Sequence, residues 1–181
     1  EALVTLAIGM IAGAVRVGTP YLFVSLGECI TEKSGRVNLG LEGILVSGAM
    51  CGYAVSYLTQ SAWIGVGCAA GVGLMLGLLH GLVCSLPRVN DIAFGIAMML
   101  LGTGLAFFLG KPYIQPQAPQ LPSLALGAWS GDPRWQSALA VNALFPIGIA
   151  LALLLHRGLR STALGLALRL VGDHEGTARA L

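Results

Sequence analysis

The sequence Glu32-Lys-Ser-Gly-Arg-Val-Asn-Leu-Gly-Leu-Glu-Gly43 places a short polar, glycine-rich stretch between two strongly apolar segments. In the hydrocarbon of a bilayer, a charge or an unpaired backbone group is costly. Such a stretch is therefore tolerated only where it faces protein, an interface or a water-filled path. The pattern predicts a helix break over residues 32–43 that acts as a hinge or lines a pathway.

The composition of the chain indicates an integral membrane protein. Of its 181 residues, 56% are hydrophobic and 10% are charged, whereas soluble domains carry about 25% charged residues. The mean hydropathy is +0.82. A net charge of +2 without a basic patch predicts no nucleic-acid partner. The expected fold class is all-α: a polytopic membrane protein with five to six transmembrane or half-membrane helices, one of them discontinuous at 32–43.

Apolar stretches between polar turns predict the individual helices. A single helix over residues 2–31 would be about 45 Å long, which exceeds the ~30 Å hydrocarbon core. We therefore expect two helices, 2–15 and 20–31, with Thr19 and Pro20 starting the second. Further crossings are expected over residues 37–57, 62–86, 92–109 and 137–155.

The segment Lys111–Gln136 separates the last two crossings and holds five of the eight prolines, so its Pro-rich half cannot be helical. Basic residues predict that this segment is extracytoplasmic, because the loops on the opposite side carry seven Lys and Arg residues against two. These are Lys33, Arg36, Arg88, Arg157, Arg160, Arg169 and Arg179 on the cytoplasmic side, and Lys111 and Arg134 on the other.

Three further features bear on packing and chemistry. The spacings Gly67-x-x-x-Gly71 and Gly73-x-x-x-Gly77 favour close helix packing. The four cysteines lie in apolar runs, and we interpret them as small buried hydrophobic residues. His80 is interpreted as a hydrogen-bonded packing residue. The sequence shows no catalytic constellation and no phosphate-binding loop, so we expect that the chain is not an enzyme and does not hydrolyse ATP itself.

Candidate functional residues cluster in the interruption. Gly35, Gly40 and Gly43 surround Asn38 and Glu42, so this segment can approach other backbone closely while presenting an amide and a carboxylate. Glu42 has two interpretations: an anchor that caps the N-terminus of the next helix, or a carboxylate that lines a pathway. The sequence leaves both open.

Two more regions carry polar candidates. Asn90 or Asp91 would cap the crossing that follows the turn at 87–91. From Ala163 onward, leucines mix with charged residues in a pattern typical of a short amphipathic helix, which would lie against a partner or on the membrane surface. Gly172 is expected to break this helix before Asp173.

The run over residues 32–43 resembles the signature of permease subunits of bacterial ABC importers, in the binding-protein-dependent branch of branched-chain amino acid and ribose-type permeases that handles simple sugars and nucleosides. Residues 89–97 and 102–112 are similar to the family's next crossing, and residues 166–181 resemble the cytoplasmic segment that docks on the ATPase subunit. The resemblance implies a single transmembrane permease domain over 1–181 that lacks a second half, so we expect a fragment.

The resemblance also implies a pathway-forming subunit of an ATP-driven importer in the bacterial inner membrane, with no cofactor of its own. The implied partners are cytoplasmic ATP-binding subunits, a second permease subunit, a periplasmic or lipid-anchored substrate-binding protein and the bilayer. The implied site residues are Gly35, Asn38, Gly40, Glu42, Gly43, Asn90 and Asp91 for the pathway or helix break, and Gly172, Asp173, His174, Glu175, Gly176 and Arg179 for ATPase coupling.

The alternative is a non-transport membrane protein, either an assembly scaffold or an intramembrane enzyme. An intramembrane enzyme needs paired polar groups at membrane depth, and the candidates are Glu28, Glu42 and His80. Since none of the three has an obvious catalytic companion in the sequence, transport is the favoured interpretation.

Overall fold

The computed structural model describes residues 2–114 and 116–173, and five helices within them are long and apolar enough to cross a membrane. This confirms the expected polytopic, predominantly helical fold. In chain order the elements are α1 (Ala2–Lys33), α2 (Leu41–Thr59), α3 (Ala62–Cys84), α4 (Asp91–Gly110), a 3-10 turn (Lys111–Tyr113), β1 (Ser123–Ala125), α5 (Pro133–Ala138), β2 (Ala140–Asn142), α6 (Leu144–Ser161) and α7 (Ala163–Asp173).

The prediction of separate helices at 2–15 and 20–31 is wrong, because α1 is continuous and holds Pro20 in its interior. Thr19 does not cap a new helix. Its Oγ1 donates a hydrogen bond to the Val15 carbonyl oxygen at 2.8 Å, a back-bond that bends helices without ending them. At 1.5 Å per residue α1 is about 48 Å long, so it must tilt in the bilayer or extend beyond the hydrocarbon.

The described chain divides into two compact units, one made of residues 28–120 and the other of the remaining residues. Within the first unit, α2 packs against both α3 and α4. Within the second unit, α6 packs against α7, and β1 pairs antiparallel with β2 so that Leu124 lies opposite Val141. The helix break and its neighbours belong to the first unit, which therefore positions the candidate site.

The predicted last crossing at 137–155 is displaced in the structure. Residues 140–142 form β2, and α6 begins at Leu144, where the Asn142 Oδ1 accepts a hydrogen bond from the Leu144 N–H at 3.0 Å. A short apolar strand and the start of an apolar helix look alike in sequence, so hydropathy alone placed the boundary too early. The Pro-rich residues 116–122 are non-helical, as predicted.

Close packing of α3 occurs at a glycine that the sequence did not single out. A Cβ on Gly65 would overlap the Ser56 Oγ and would lie 2.5 Å from the Gly52 carbonyl oxygen. The expectation based on the Gly-x-x-x-Gly spacings is not met within the described chain. No atom lies within 4 Å of a Cβ built on Gly67, Gly71 or Gly77, and the Ile44 Cγ2 at 4.0 Å is the nearest to Gly73.

Candidate functional site

The predicted helix break is present over residues 34–40. Gly35 provides the backbone conformation that terminates α1. Its φ of 79° lies in the left-handed region that glycine adopts without strain. The Gly35 N–H donates to the Glu32 carbonyl oxygen at 3.0 Å, and the Arg36 N–H donates to that of Thr31 at 3.1 Å. This pair of bonds is the Schellman arrangement that satisfies carbonyls at a helix C-terminus.

Asn38 fixes the path of the chain between Gly35 and α2. It is only 7% exposed. Its backbone N–H donates to the Glu28 Oε1 at 3.1 Å, and its side-chain Oδ1 accepts from the Gly40 N–H at 2.9 Å. The second carboxylate oxygen of Glu28, Oε2, is buried and has no hydrogen-bond partner among the described residues. The buried Asn38 thus connects the break to α1 through its backbone N–H and shapes the start of α2 through its side chain.

Glu42 lies in the first turn of α2 with an exposed side chain that makes no hydrogen bond or ion pair within the described part of the chain. Its interpretation as a capping anchor is wrong, because Gly40 occupies the N-cap and no side chain caps α2. A carboxylate in a first helical turn still interacts favourably with the positive end of the helix dipole. Pathway lining remains a prediction for Glu42.

Glycines bring the start of α2 into backbone contact with α4. A Cβ on Gly43 would lie 2.7 Å from the Met98 carbonyl oxygen, and a Cβ on Gly102 would lie 2.8 Å from the Gly43 carbonyl oxygen. At the end of the break, a Cβ on Gly95 would lie 2.9 Å from the Leu39 nitrogen. Real Cβ atoms do not approach backbone atoms this closely, so the contact requires glycine on both helices.

Gly95 and Gly102 were missed by the sequence analysis. They are seven residues apart, which is about two helical turns and places both on one face of α4. The Ser47 Oγ also donates to the Gly102 carbonyl oxygen at 3.1 Å on this face. The sequence does contain a signal for this contact. Two glycines lie two turns apart on α4, and two further glycines, 40 and 43, lie at the start of α2, so both segments can approach each other closely. No single Gly-x-x-x-Gly motif marks this pair.

Arg36 joins the break to both α3 and α4, although the sequence analysis used it only to predict orientation. Its Nη1 donates to the Asp91 carboxylate at 2.9 and 3.2 Å and to the carbonyl oxygen of Cys84, the last residue of α3. The two charged side chains are 46% and 22% exposed. At this exposure the ion pair contributes about 1 kcal/mol or less to stability. The same guanidinium, however, contacts both the end of α3 and the start of α4.

Asn90 is the N-cap of α4, which confirms the first of the two capping alternatives. Its Oδ1 accepts hydrogen bonds from the N–H groups of Ile92 at 2.9 Å and Ala93 at 3.1 Å. Asp91 follows in the first turn, where its charge suits the helix dipole and reaches Arg36. The geometry therefore gives both residues a structural role at the start of α4.

His80 is buried beside this cluster and is 4% exposed. Its Nε2 lies 3.7 Å from the Cys84 Sγ, and its ring centroid lies 5.7 Å from that of Phe94. The Nδ1 has no partner among the described residues. The packing interpretation of His80 fits this arrangement. Of the four unpaired cysteines Cys84 is buried, whereas Cys29 is exposed, contrary to the expectation of burial.

The expected coupling segment is described only at its beginning. Gly172 and Asp173 are the last residues of α7, so the predicted break at Gly172 is wrong. Glycine within a helix costs only about 1 kcal/mol, which packing readily offsets. The amphipathic helix itself is present, with Leu164 and Leu166 exposed. The other expected coupling residues, His174, Glu175, Gly176 and Arg179, lie outside the described residues.

The five apolar helices of the described chain define a multi-pass membrane protein, in which the helix break packs against α4 through glycines. More particularly, the chain belongs to the family described as the permease component of the branched-chain amino acid transport system, which matches residues 10–181. No solved structure matches the chain.

Three relatives narrow the comparison. A putative glucose ABC transporter permease of Haloferax volcanii is 34% identical over 65% of this chain and 36% of its own length. A nucleoside ABC transporter permease of Lactococcus lactis is 26% identical over 95% of this chain and 58% of its own. A guanosine ABC transporter permease of Bacillus subtilis is 27% identical over 86% of this chain and 53% of its own. The chain thus spans about a third to just over half the length of these relatives.

Proposed function

We propose that this chain forms part of the translocation pathway of an ATP-driven ABC importer for a sugar or a nucleoside. The observation that carries the proposal is the match of residues 10–181 to a permease family. The three relatives are named as permeases for glucose, nucleosides and guanosine. Sugars and nucleosides share a ring bearing several hydroxyl groups, so the proposed substrate is a small polyhydroxylated metabolite.

The proposal includes partners that supply energy and substrate. The sequence carries no phosphate-binding loop, so separate ATP-binding subunits hydrolyse ATP at the cytoplasmic face of the plasma membrane. A coupling helix that begins near Gly172 docks on them. A second permease subunit completes the pathway, and a substrate-binding protein delivers the ligand to the outer loop, residues 111–136. The chain itself binds no cofactor.

The helix break is the element best suited to move during transport. At Gly43 and Gly102, α2 and α4 meet through backbone atoms, and the Ser47 Oγ adds a hydrogen bond to the Gly102 carbonyl oxygen. The break itself is held in its resting position by a few hydrogen bonds, which involve the Arg36 guanidinium and both the backbone N–H and the side-chain Oδ1 of Asn38. The exposed Glu42 carboxylate, without a partner in the described chain, can accept hydrogen bonds from substrate hydroxyl groups.

The proposal is tested by transport in a defined system. The protein as its gene encodes it is reconstituted into liposomes with its ATP-binding subunits and binding protein, and uptake of radiolabelled glucose and guanosine is measured with and without ATP. We expect ATP-dependent uptake of one of the two. Absence of uptake for both, together with failure of the ATP-binding subunits to copurify, would contradict the proposal.

Replacing Glu42 with Gln is expected to lower uptake about tenfold, a change that corresponds to ~1.4 kcal/mol. The neutral amide is a weaker acceptor for substrate hydroxyl groups, and the side chain has no folding partner to lose within the described chain. Thermal stability and membrane insertion should stay unchanged. Glu32→Gln, an exposed carboxylate at the end of α1, is the control and should transport normally. Normal uptake by Glu42→Gln would remove this residue from the pathway.

A further inference from the structure

The segment over residues 121–143, here called the hairpin module, is a small folded element and not an open loop. Its two strands pair antiparallel. Its ends are closed by hydrogen bonds from the Leu126 N–H to the Leu139 carbonyl oxygen at 3.1 Å and from the Ala143 N–H to that of Pro122 at 3.3 Å. A fixed backbone of this kind presents its side chains in a defined direction.

The hairpin module exposes large apolar side chains. Trp129 is 77% exposed, Leu126 54%, Leu124 42% and Trp135 37%. The centroids of the two indole rings lie 6.5 Å apart with the rings tilted by 40°, so the tryptophans form one patch. The module contains only two charged residues, Asp132 and Arg134. Removal of apolar surface from water is favourable by roughly 25 cal/mol per Å², so covering this patch would lower the free energy.

Two connections hold the hairpin module at the membrane. Its last residue, Ala143, is buried and directly precedes Leu144, the first residue of a candidate membrane span. In addition, the Arg16 Nη2 donates to the carbonyl oxygens of Ser137 at 3.2 Å and Ala140 at 3.5 Å. Arg16 lies inside the candidate span Leu6–Lys33, so its hydrogen-bond partners cannot project far into water.

We propose that the hairpin module is an interfacial anchor, whose Trp129, Leu124 and Leu126 insert among the lipid headgroups and upper acyl chains of the bilayer. Tryptophan favours this zone because its ring is apolar and its N–H is polar. Arg16 holds the module at this depth by donating hydrogen bonds to the carbonyl oxygens of Ser137 and Ala140. A substrate-binding protein would then meet the outer loop through residues 111–120. The inference rests on the membrane location of the chain and not on its transport activity.

Depth-dependent fluorescence quenching tests the proposal. Residues 1–181 contain three tryptophans. With any tryptophan outside these residues also replaced by Phe, Trp63→Phe with Trp135→Phe leaves Trp129 as the only reporter, and Trp63→Phe with Trp129→Phe leaves Trp135. Each variant of the protein as its gene encodes it is placed in nanodiscs whose lipids carry bromine at one of three acyl depths. Aqueous iodide is the opposing quencher.

We expect lipids brominated near the headgroup to reduce Trp129 emission about twofold or more, with little quenching by iodide. The less exposed Trp135 should be quenched less by the lipids. Arg16→Gln should reduce the lipid quenching of Trp129, while Arg16→Lys, which keeps a charged donor, should preserve part of it. Circular dichroism of each variant confirms that it remains folded.

Strong iodide quenching of Trp129 with no effect of brominated lipids would overturn the proposal. If adding the substrate-binding protein then shielded Trp129 from iodide, the patch would belong to that protein instead. Neither readout requires ATP or transport, so failure of the anchor and failure of the proposed function are distinguishable.

Discussion

Replacing Gly102 with Ala is expected to destabilise the protein strongly, whereas Gly104→Ala on the same helix should be neutral or slightly stabilising. The added methyl group at position 102 would lie 2.8 Å from the Gly43 carbonyl oxygen. Both clashing groups belong to packed helices, so neither can shift as a flexible side chain would. Overpacking of this kind costs roughly 1–3 kcal/mol, and more where backbone must move.

Gly104 is a matched control because it differs from Gly102 only in its surroundings. It lies two residues further along α4, and nothing is within 4 Å of a Cβ built there. Alanine is favoured over glycine in a helix by about 1 kcal/mol, so Gly104→Ala should raise stability if it changes it at all. The contrast isolates the steric contact from helix propensity.

Thermal unfolding of the purified protein in detergent, followed by a thiol-reactive or intrinsic fluorescence signal, measures the difference. We expect a lower melting temperature for Gly102→Ala and for Gly43→Ala. The double variant should be less destabilised than the sum of the two, because both methyl groups disrupt the same contact. Equal melting temperatures for Gly102→Ala and Gly104→Ala would show that α2 and α4 do not pack as described.

The sequence identified the helix break correctly because polar residues and glycines are so costly in hydrocarbon that their position is informative by itself. The prediction of a break within α1, which rested on other signals, was wrong. Pro20 and a length beyond the bilayer thickness argued for two helices, but an interior proline removes one hydrogen bond and is accommodated in a helix with a distorted turn. Whether such a helix breaks depends on neighbouring elements, which a single sequence does not show.

The packing glycines illustrate a second limit. With 26 glycines in the chain, short spacings occur by chance, and the partner helix decides which glycines matter. Gly67 and Gly71 face open space, while Gly95 and Gly102 meet the backbone of the break and of α2. The small β-hairpin was missed for a related reason, since β2 is only three residues long and lies in an apolar stretch.

Polar contacts were the least predictable part of the site. The count of basic residues assigned Arg36 a role only in membrane orientation. Its hydrogen bonds form because the break, the end of α3 and the start of α4 lie close together in the fold. Likewise, Glu28 looked like an isolated acid within an apolar run, yet its Oε1 accepts the Asn38 N–H. Side chains that stabilise a helix break act on residues 10 to 55 positions away, and no local pattern records such pairings.

Replacing Arg36 with Ala is expected to destabilise the protein more than replacing Asp91 with Ala. The Arg36→Ala change leaves two acceptors without their donor, the Asp91 carboxylate and the Cys84 carbonyl oxygen. A buried or half-buried group left unsatisfied costs about 1–3 kcal/mol. The Asp91→Ala change removes an ion pair worth about 1 kcal/mol or less at this exposure, and the guanidinium keeps its bond to α3.

A double-mutant cycle separates these contributions. Melting temperatures of the two single variants and of the double variant give the coupling between the charges, which we expect to shrink at high salt because Arg36 is 46% exposed. Arg36→Lys is the matched control. A lysine keeps the positive charge but lacks the planar fork of donors, so it should recover the pairing with Asp91 and not the bond to α3.

The same variants connect stability to transport. If the Arg36 contacts fix the resting position of the break, their loss should reduce ATP-driven uptake even at temperatures where the variant is fully folded, and Arg36→Lys should restore uptake only in part. Equal stability of Arg36→Ala and Asp91→Ala, with normal uptake by both, would mean that the Cys84 carbonyl contact contributes nothing. The position of the break would then depend on the glycine contacts and on Asn38 alone.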